Sequence, residues 1–173
     1  SHDSGRPVCV RNTKFDLGQI PIAPCISASA NPAPTSPLLL VQGPLGLNLK
    51  NRAHWILPRI ENGELAGNNP PTLDRFRIWL DLDIHVQGRP EWLFIKLHTH
   101  GCDETRGNMA MLLGKPMQDF YSSLSSQYND GQRFRLHYVS ARELVNIIHA
   151  AEHGLAGNPG DYRDCRYGRP GGR

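Results

Sequence analysis

Apolar positions in this chain fall in short runs separated by breakers, and their period changes from run to run. Leu38 to Gln42 (LLLVQ) is a continuous apolar stretch that reads as a buried strand, closed by Gly43-Pro44-Leu45-Gly46. Further on, Thr72 is placed as a helix N-cap. Leu73, Phe76, Trp79, Leu80 and Asp83 then share one face at helical spacing, which predicts a helix from about 73 to 87 ended by Gly88 and Pro90. Trp92 to Leu97 (WLFIKL) is aromatic, branched and almost wholly apolar, as a strand covered on both faces requires, and it stops at His98-Thr99-His100-Gly101. A helical region from about 106 to 127 follows, interrupted at Gly114-Lys115-Pro116, and Asn129-Asp130-Gly131 supplies a turn. Phe134 to Val139 is the next strand. Ser140-Ala141-Arg142-Glu143 has the order of a capping box and opens a helix whose apolar face is Leu144, Val145, Ile147, Ile148 and Ala151, with Gly154 placed to end it.

Strands and helices therefore alternate, the signature of an α/β fold with βαβ units around a parallel sheet. Three such units in 173 residues fall short of the roughly 250 that a closed eight-unit barrel takes, so the expected architecture is the C-terminal part of a distorted β/α, TIM-like barrel. Residues 1–37, rich in Pro, Ser, Ala and Asn, read as an extended loop or arm. Residues 38–156 form the α/β domain, and 157–173 a Gly/Pro/Arg-rich tail. The first residues carry neither an initiator Met nor the basic-then-apolar order of a signal peptide, which points to a processed product or a piece of something longer.

Composition narrows the function classes. An apolar fraction of 39% and a charged fraction of 20% are those of a globular protein, which argues against disorder throughout. No apolar run approaches the roughly 20 residues of a membrane span. A formal charge of +3 with scattered arginines argues against a nucleic-acid stripe, and Arg163, Arg166, Arg169 and Arg173 read as a solvated terminus. Cys9, Cys25, Cys102 and Cys165 contain no C-x-x-C pair, so a reducing, cytoplasmic compartment is the default, while two disulfides remain open for an exported protein.

Chemistry concentrates after the second strand. His98 and His100 are two apart, so a strand continued through them projects both imidazoles from one side, at the end where parallel α/β folds gather function. Such a pair shares a metal or sets an acid/base beside a ligand; histidines hydrogen-bonded in a loop are the plain alternative. Cys102, Asp103 and Glu104 follow at once, with no base marked out for Cys102 as a nucleophile. Arg59, Glu61 and Asn62 offer a cation, an acceptor and an amide to sugar hydroxyls or an acyl group, unless they bridge elements of the fold. His137, opposite Phe134, Leu136 and Tyr138 if alternation holds, is either a core histidine or a substrate contact.

Four stretches carry a family resemblance: Leu38 to Asn48 (LLLVQGPLGLN), Pro58 to Gly63 (PRIENG), Trp92 to Gly101 (WLFIKLHTHG), and Tyr128 to Gly131 (YNDG) with Leu136 to Glu143 (LHYVSARE). Over about residues 38 to 165 the chain resembles the polysaccharide deacetylase-like proteins. Their late motif is an apolar strand ending in a histidine that acts as general acid, and Leu93-x-Ile95-x-Leu97-His98 looks like it. The resemblance implies a hydrolase removing acyl groups from a saccharide, with His98, then His100, as catalytic residues and a zinc-like divalent metal in the complete protein. The early Thr-Phe-Asp-Asp and His-x-x-x-His segments of the family are absent here. The implied metal ligands and base would then lie in a missing N-terminal barrel half, and the chain alone is expected to be inactive. Two other readings stand beside this one: a metal-dependent hydrolase of another barrel family with His98 and His100 as ligands, and a non-catalytic carbohydrate-binding or scaffold module.

Overall fold

The computed structural model describes residues 6–11 by their backbone, and residues 41, 43–49, 59–100 and 107–165 in full. Its strands are β1 (Arg6–Arg11), β2 (Gly46–Asn48), β3 (Arg59–Glu61), β4 (Trp92–Phe94) and β5 (Phe134–Val139). Its helices are α1 (Leu73–Asp81), α2 (Asn108–Leu113), α3 (Lys115–Tyr128) and α4 (Ala141–Glu152), followed by a 3-10 turn over Pro159–Tyr162.

One sheet has the order β4-β1-β5, and a separate ribbon pairs β2 with β3. β1 is antiparallel to both neighbours, with Val8 opposite Phe94 on one side and His137 on the other. β4 and β5 therefore run in the same direction, as a helical crossover requires, but they are not adjacent. This corrects the expectation of a parallel sheet with Trp92–Leu97 in its interior. Every ladder among the described residues is antiparallel. The segment assigned to an arm supplies the middle strand. Pro7 disguised it, since proline is a poor resident of a central strand. The register explains the tolerance: β1 pairs with β5 from Arg6 but with β4 only from Val8, so Pro7 has a partner strand on one side alone. The strand expected at 38–42 falls mostly outside the described residues, and Val41 is in no strand.

Alternation along β4 and β5 separates two cores. Leu93, Ile95, Leu97, Phe134 and Leu136 face Phe76 and Trp79 of α1, Met111 of α2, and Met117, Phe120 and Leu124 of α3. Phe76 packs edge-on against Trp79, Phe120 and Tyr128 at centroid distances of 6.3, 6.5 and 4.8 Å. On the other face, Trp92, Phe94 and Val139 meet Leu144, Ile147, Ile148, Ala150 and Ala151 of α4. The tail belongs to this second core: Tyr162 stacks 5.8 Å from Trp92 and Cys165 is buried, so the division expected at 156 is not a packing boundary.

Local chemistry sets the helix limits. Thr72 accepts from the Arg75 amide at 3.2 Å and starts α1, which stops at Asp81 and not near 87, just before Asp83 takes a left-handed φ of 51°. α2 and α3 divide at Gly114, where a Cβ would stand 2.2 Å from the Ala110 carbonyl oxygen. The capping box of α4 is formed in both directions, Ser140 N donating to Glu143 at 2.6 Å and Glu143 N to Ser140 at 3.4 Å.

Candidate functional site at the end of the β4 strand

Past Phe94, Ile95 and Leu97 stay buried with Lys96 half-buried between them, and the chain then pairs with a different partner. His98 N donates to the Gly63 carbonyl at 3.2 Å and the His98 carbonyl accepts from Leu65 N at 2.8 Å, a parallel bridge between Glu64 and His98. The ring of half-buried His98 sits beside Gly43: a Cβ there would lie 3.0 Å from the Lys96 carbonyl, 3.3 Å from that of Asn62 and 3.9 Å from His98 Nδ1. Gly63, at φ 72°, brings its backbone against Pro44, whose Cδ would lie 2.8 Å from an added Cβ. Both contacts need the missing side chain of glycine. Gly43-Pro44, Asn62-Gly63-Glu64 and Lys96-Leu97-His98 thus converge on one point.

Beneath that point lies a buried ion pair. Arg75 holds Glu61 in a fork, Nε to Oε2 and Nη2 to Oε1 at 2.7 Å each, and Trp79 Nε1 and Gly63 N also donate to Oε1, at 2.9 and 3.0 Å. The remaining guanidinium protons go to the carbonyls of Asn69, Pro70 and Glu64 at 2.7, 2.9 and 2.6 Å. Burial pushes the Glu61 carboxyl up, but the bonds from Arg75, Trp79 and Gly63 outweigh it and leave its pKa below the usual value. Glu61 is 2% exposed and Arg75 3%. Glu61 is therefore a bolt of the fold and not the substrate contact expected from its loop. Asn62 is exposed, and its Oδ1 accepts from Glu64 N at 3.0 Å, which shapes the turn. Arg59 is half-buried, two residues before Glu61 on β3 and opposite Asn48.

The two strand-end histidines do not form an alternating pair on one strand, because β4 ends at Phe94. His98 is half-buried while His100 is exposed, and between them Thr99 Oγ1 is buried with no hydrogen-bond partner among the described residues. The His100 carbonyl accepts from Asn108 Nδ2 at 3.3 Å, and Asn108 Oδ1 accepts from Gly67 N at 2.7 Å, so Asn108 ties the histidine turn to the Glu64–Asn69 loop. Cys102, Asp103 and Glu104 lie outside the described residues. Among the described residues no three His, Cys, Asp or Glu side chains stand together as a metal site.

His137 belongs elsewhere. It is 7% exposed on the α4 side of β5, with Nδ1 3.4 Å from Arg163 Nη2 and its ring against Gly160 of the 3-10 turn. Burial, then the charges of Arg163 and Arg135, lower its pKa to about 4 against the opposing pull of Asp161. It is a core histidine in contact with the tail, not the substrate contact expected of it.

The sequence reading missed Arg75, Asn69 and Asn108, all buried and all holding the strand-end loops. One signal was present: Arg75 and Trp79 are four apart, which puts a cation on the helix face otherwise filled by Phe76 and Trp79. The guanidinium stands 5.1 Å from the Trp79 ring centre. Compared with family models, curated proteins and solved structures, the chain finds no match in any of the three.

Proposed function

We propose that the chain is part of a carbohydrate-active acyl hydrolase and that His98 is its general acid. One observation carries the reading: Gly43-Pro44, Asn62-Gly63 and Lys96–His98, drawn from three of the four stretches that resemble the deacetylase-like proteins, converge beside Gly43, next to half-buried His98. A saccharide ester or amide placed there loses its acyl group when water adds to the carbonyl carbon and the bond to the sugar oxygen or nitrogen breaks. The leaving atom needs a proton. An imidazole can donate one, and His98 is fixed for the task by its two backbone bonds to Gly63 and Leu65. Arg59 and Asn62 remain the side chains of the neighbouring loop available for sugar hydroxyls, and His100, in the same turn, has the lesser role. The base and a zinc-like metal would, on this reading, come from outside the described residues.

The test uses the full-length protein. His98→Ala lowers acetate release from acetylated oligosaccharides by about 10²- to 10⁴-fold with little change in substrate affinity, and His100→Ala costs less. If both histidines were ligands, both substitutions would strip the metal and damage turnover alike. A scaffold module would bind saccharide without turnover. Unchanged turnover in folded His98→Ala protein sinks the proposal.

A further inference from the structure

An open groove of about 500 Å³ lies along β4, and its lining divides by chemistry. Val41, Leu82, Ile84, Val86, Phe94 and Ile148 make an apolar wall, against which, among the described residues, only Lys96 and His85 bring titratable groups. The wall is well founded. Phe94 and Ile148 are members of the second core, with Val41 and Val86 packed on it, and Phe94 N donates to the Ile84 carbonyl at 2.8 Å. Gly43, which lies beside His98, is also part of the lining.

The two groups differ in how they are partnered. His85 Nδ1 lies 2.6 Å from the Asp83 carbonyl and 3.6 Å from its carboxylate. Lys96 is half-buried and has no ion-pair or hydrogen-bond partner for its ammonium among the described residues. A cation held beside apolar surface without a counter-ion favours an anionic ligand. Branched aliphatic and aromatic walls offer a sugar ring no hydrogen bonds, but they suit a hydrocarbon chain.

We propose that this groove binds an aliphatic carboxylate, its chain along the wall of Phe94 and Ile148 and its carboxylate on the Lys96 ammonium. A chain of roughly eight to ten carbons suits a site of this size. The inference concerns binding alone and does not rest on the acyl-hydrolase reading.

Calorimetric titration of the full chain with hexanoate, octanoate and decanoate below their micelle concentrations tests it. Saturable binding is expected, tightening about three- to fourfold per added methylene. Lys96→Met weakens octanoate about tenfold or more, since it keeps the apolar stem and removes the charge. Leu45→Glu, which sets a repelling charge in the groove lining at a position 71% exposed and so harmless to the core, weakens it too. No saturable heat, an affinity indifferent to chain length, octylamine binding as tightly as octanoate, or unchanged affinity in folded Lys96→Met protein would each overturn the proposal.

Discussion

Glu61 and Arg75 show how a residue type mistaken for a binding group serves the fold. The loop reading rested on Arg59, Glu61 and Asn62 as three polar functions within four positions, and that spacing says nothing about which of them turns inward. What decides is a partner fourteen residues away. Every guanidinium proton of Arg75 is used, and a buried pair that loses one member leaves an uncompensated charge. Arg75→Met is therefore expected to destabilise the protein by about 3–5 kcal/mol in urea unfolding at pH 7. A loss under about 1 kcal/mol would mean that water reaches Glu61 and that the loop is looser than described. The strand-end histidine was legible because it follows an apolar strand. Its fixing by Gly63 and Leu65 was not, because a single parallel bridge leaves no periodic trace in sequence.

At the scale of elements, legibility followed local chemistry. Phe134–Val139 and the capping box at Ser140 lie where hydrophobic alternation and cap residues put them. The α2–α3 break falls at the expected Gly-Lys-Pro. Sheet order was illegible, since it depends on which remote segment fills the gap between β4 and β5. Three residues of β1, Val8 to Val10, are paired on both sides, so their backbone holds the sheet together. Val8→Pro removes an amide in that doubly paired stretch, whereas the natural Pro7 has a neighbour on one side only. A cost of about 3 kcal/mol or more is expected, read as a fall in the urea midpoint. A variant as stable as the parent would show that β1 does not sit between the other two strands.

Across the whole molecule, the sheet divides a core built by α1, α2 and α3 from one built by α4 and the tail, and His137 sits in the second beneath the 3-10 turn. Sequence alternation put His137 on the face opposite Phe134 and Leu136, but the tail that buries it reads as solvent-loving from its Gly, Pro and Arg content. That burial makes the docking of the tail sensitive to acid. The folded pKa of His137, about 4, is below its unfolded value near 6.5, so between these values the unfolded chain takes up a proton that the folded one refuses. Stability from this residue is fully present above about pH 6.5, falls as pH drops towards 4, and changes no further below that; its limit is about 3 kcal/mol. Glu61 acts in a lower window, because its depressed pKa keeps its contribution intact until pH falls below the ordinary carboxylate range. His137→Gln keeps a polar side chain without the titration. Urea midpoints of parent and variant measured from pH 7 to 4.5 should therefore diverge, the parent losing stability faster on acidification. Parallel curves would mean that His137 is solvated enough in the folded protein to titrate at its ordinary value, and that the tail does not seal this face of the sheet.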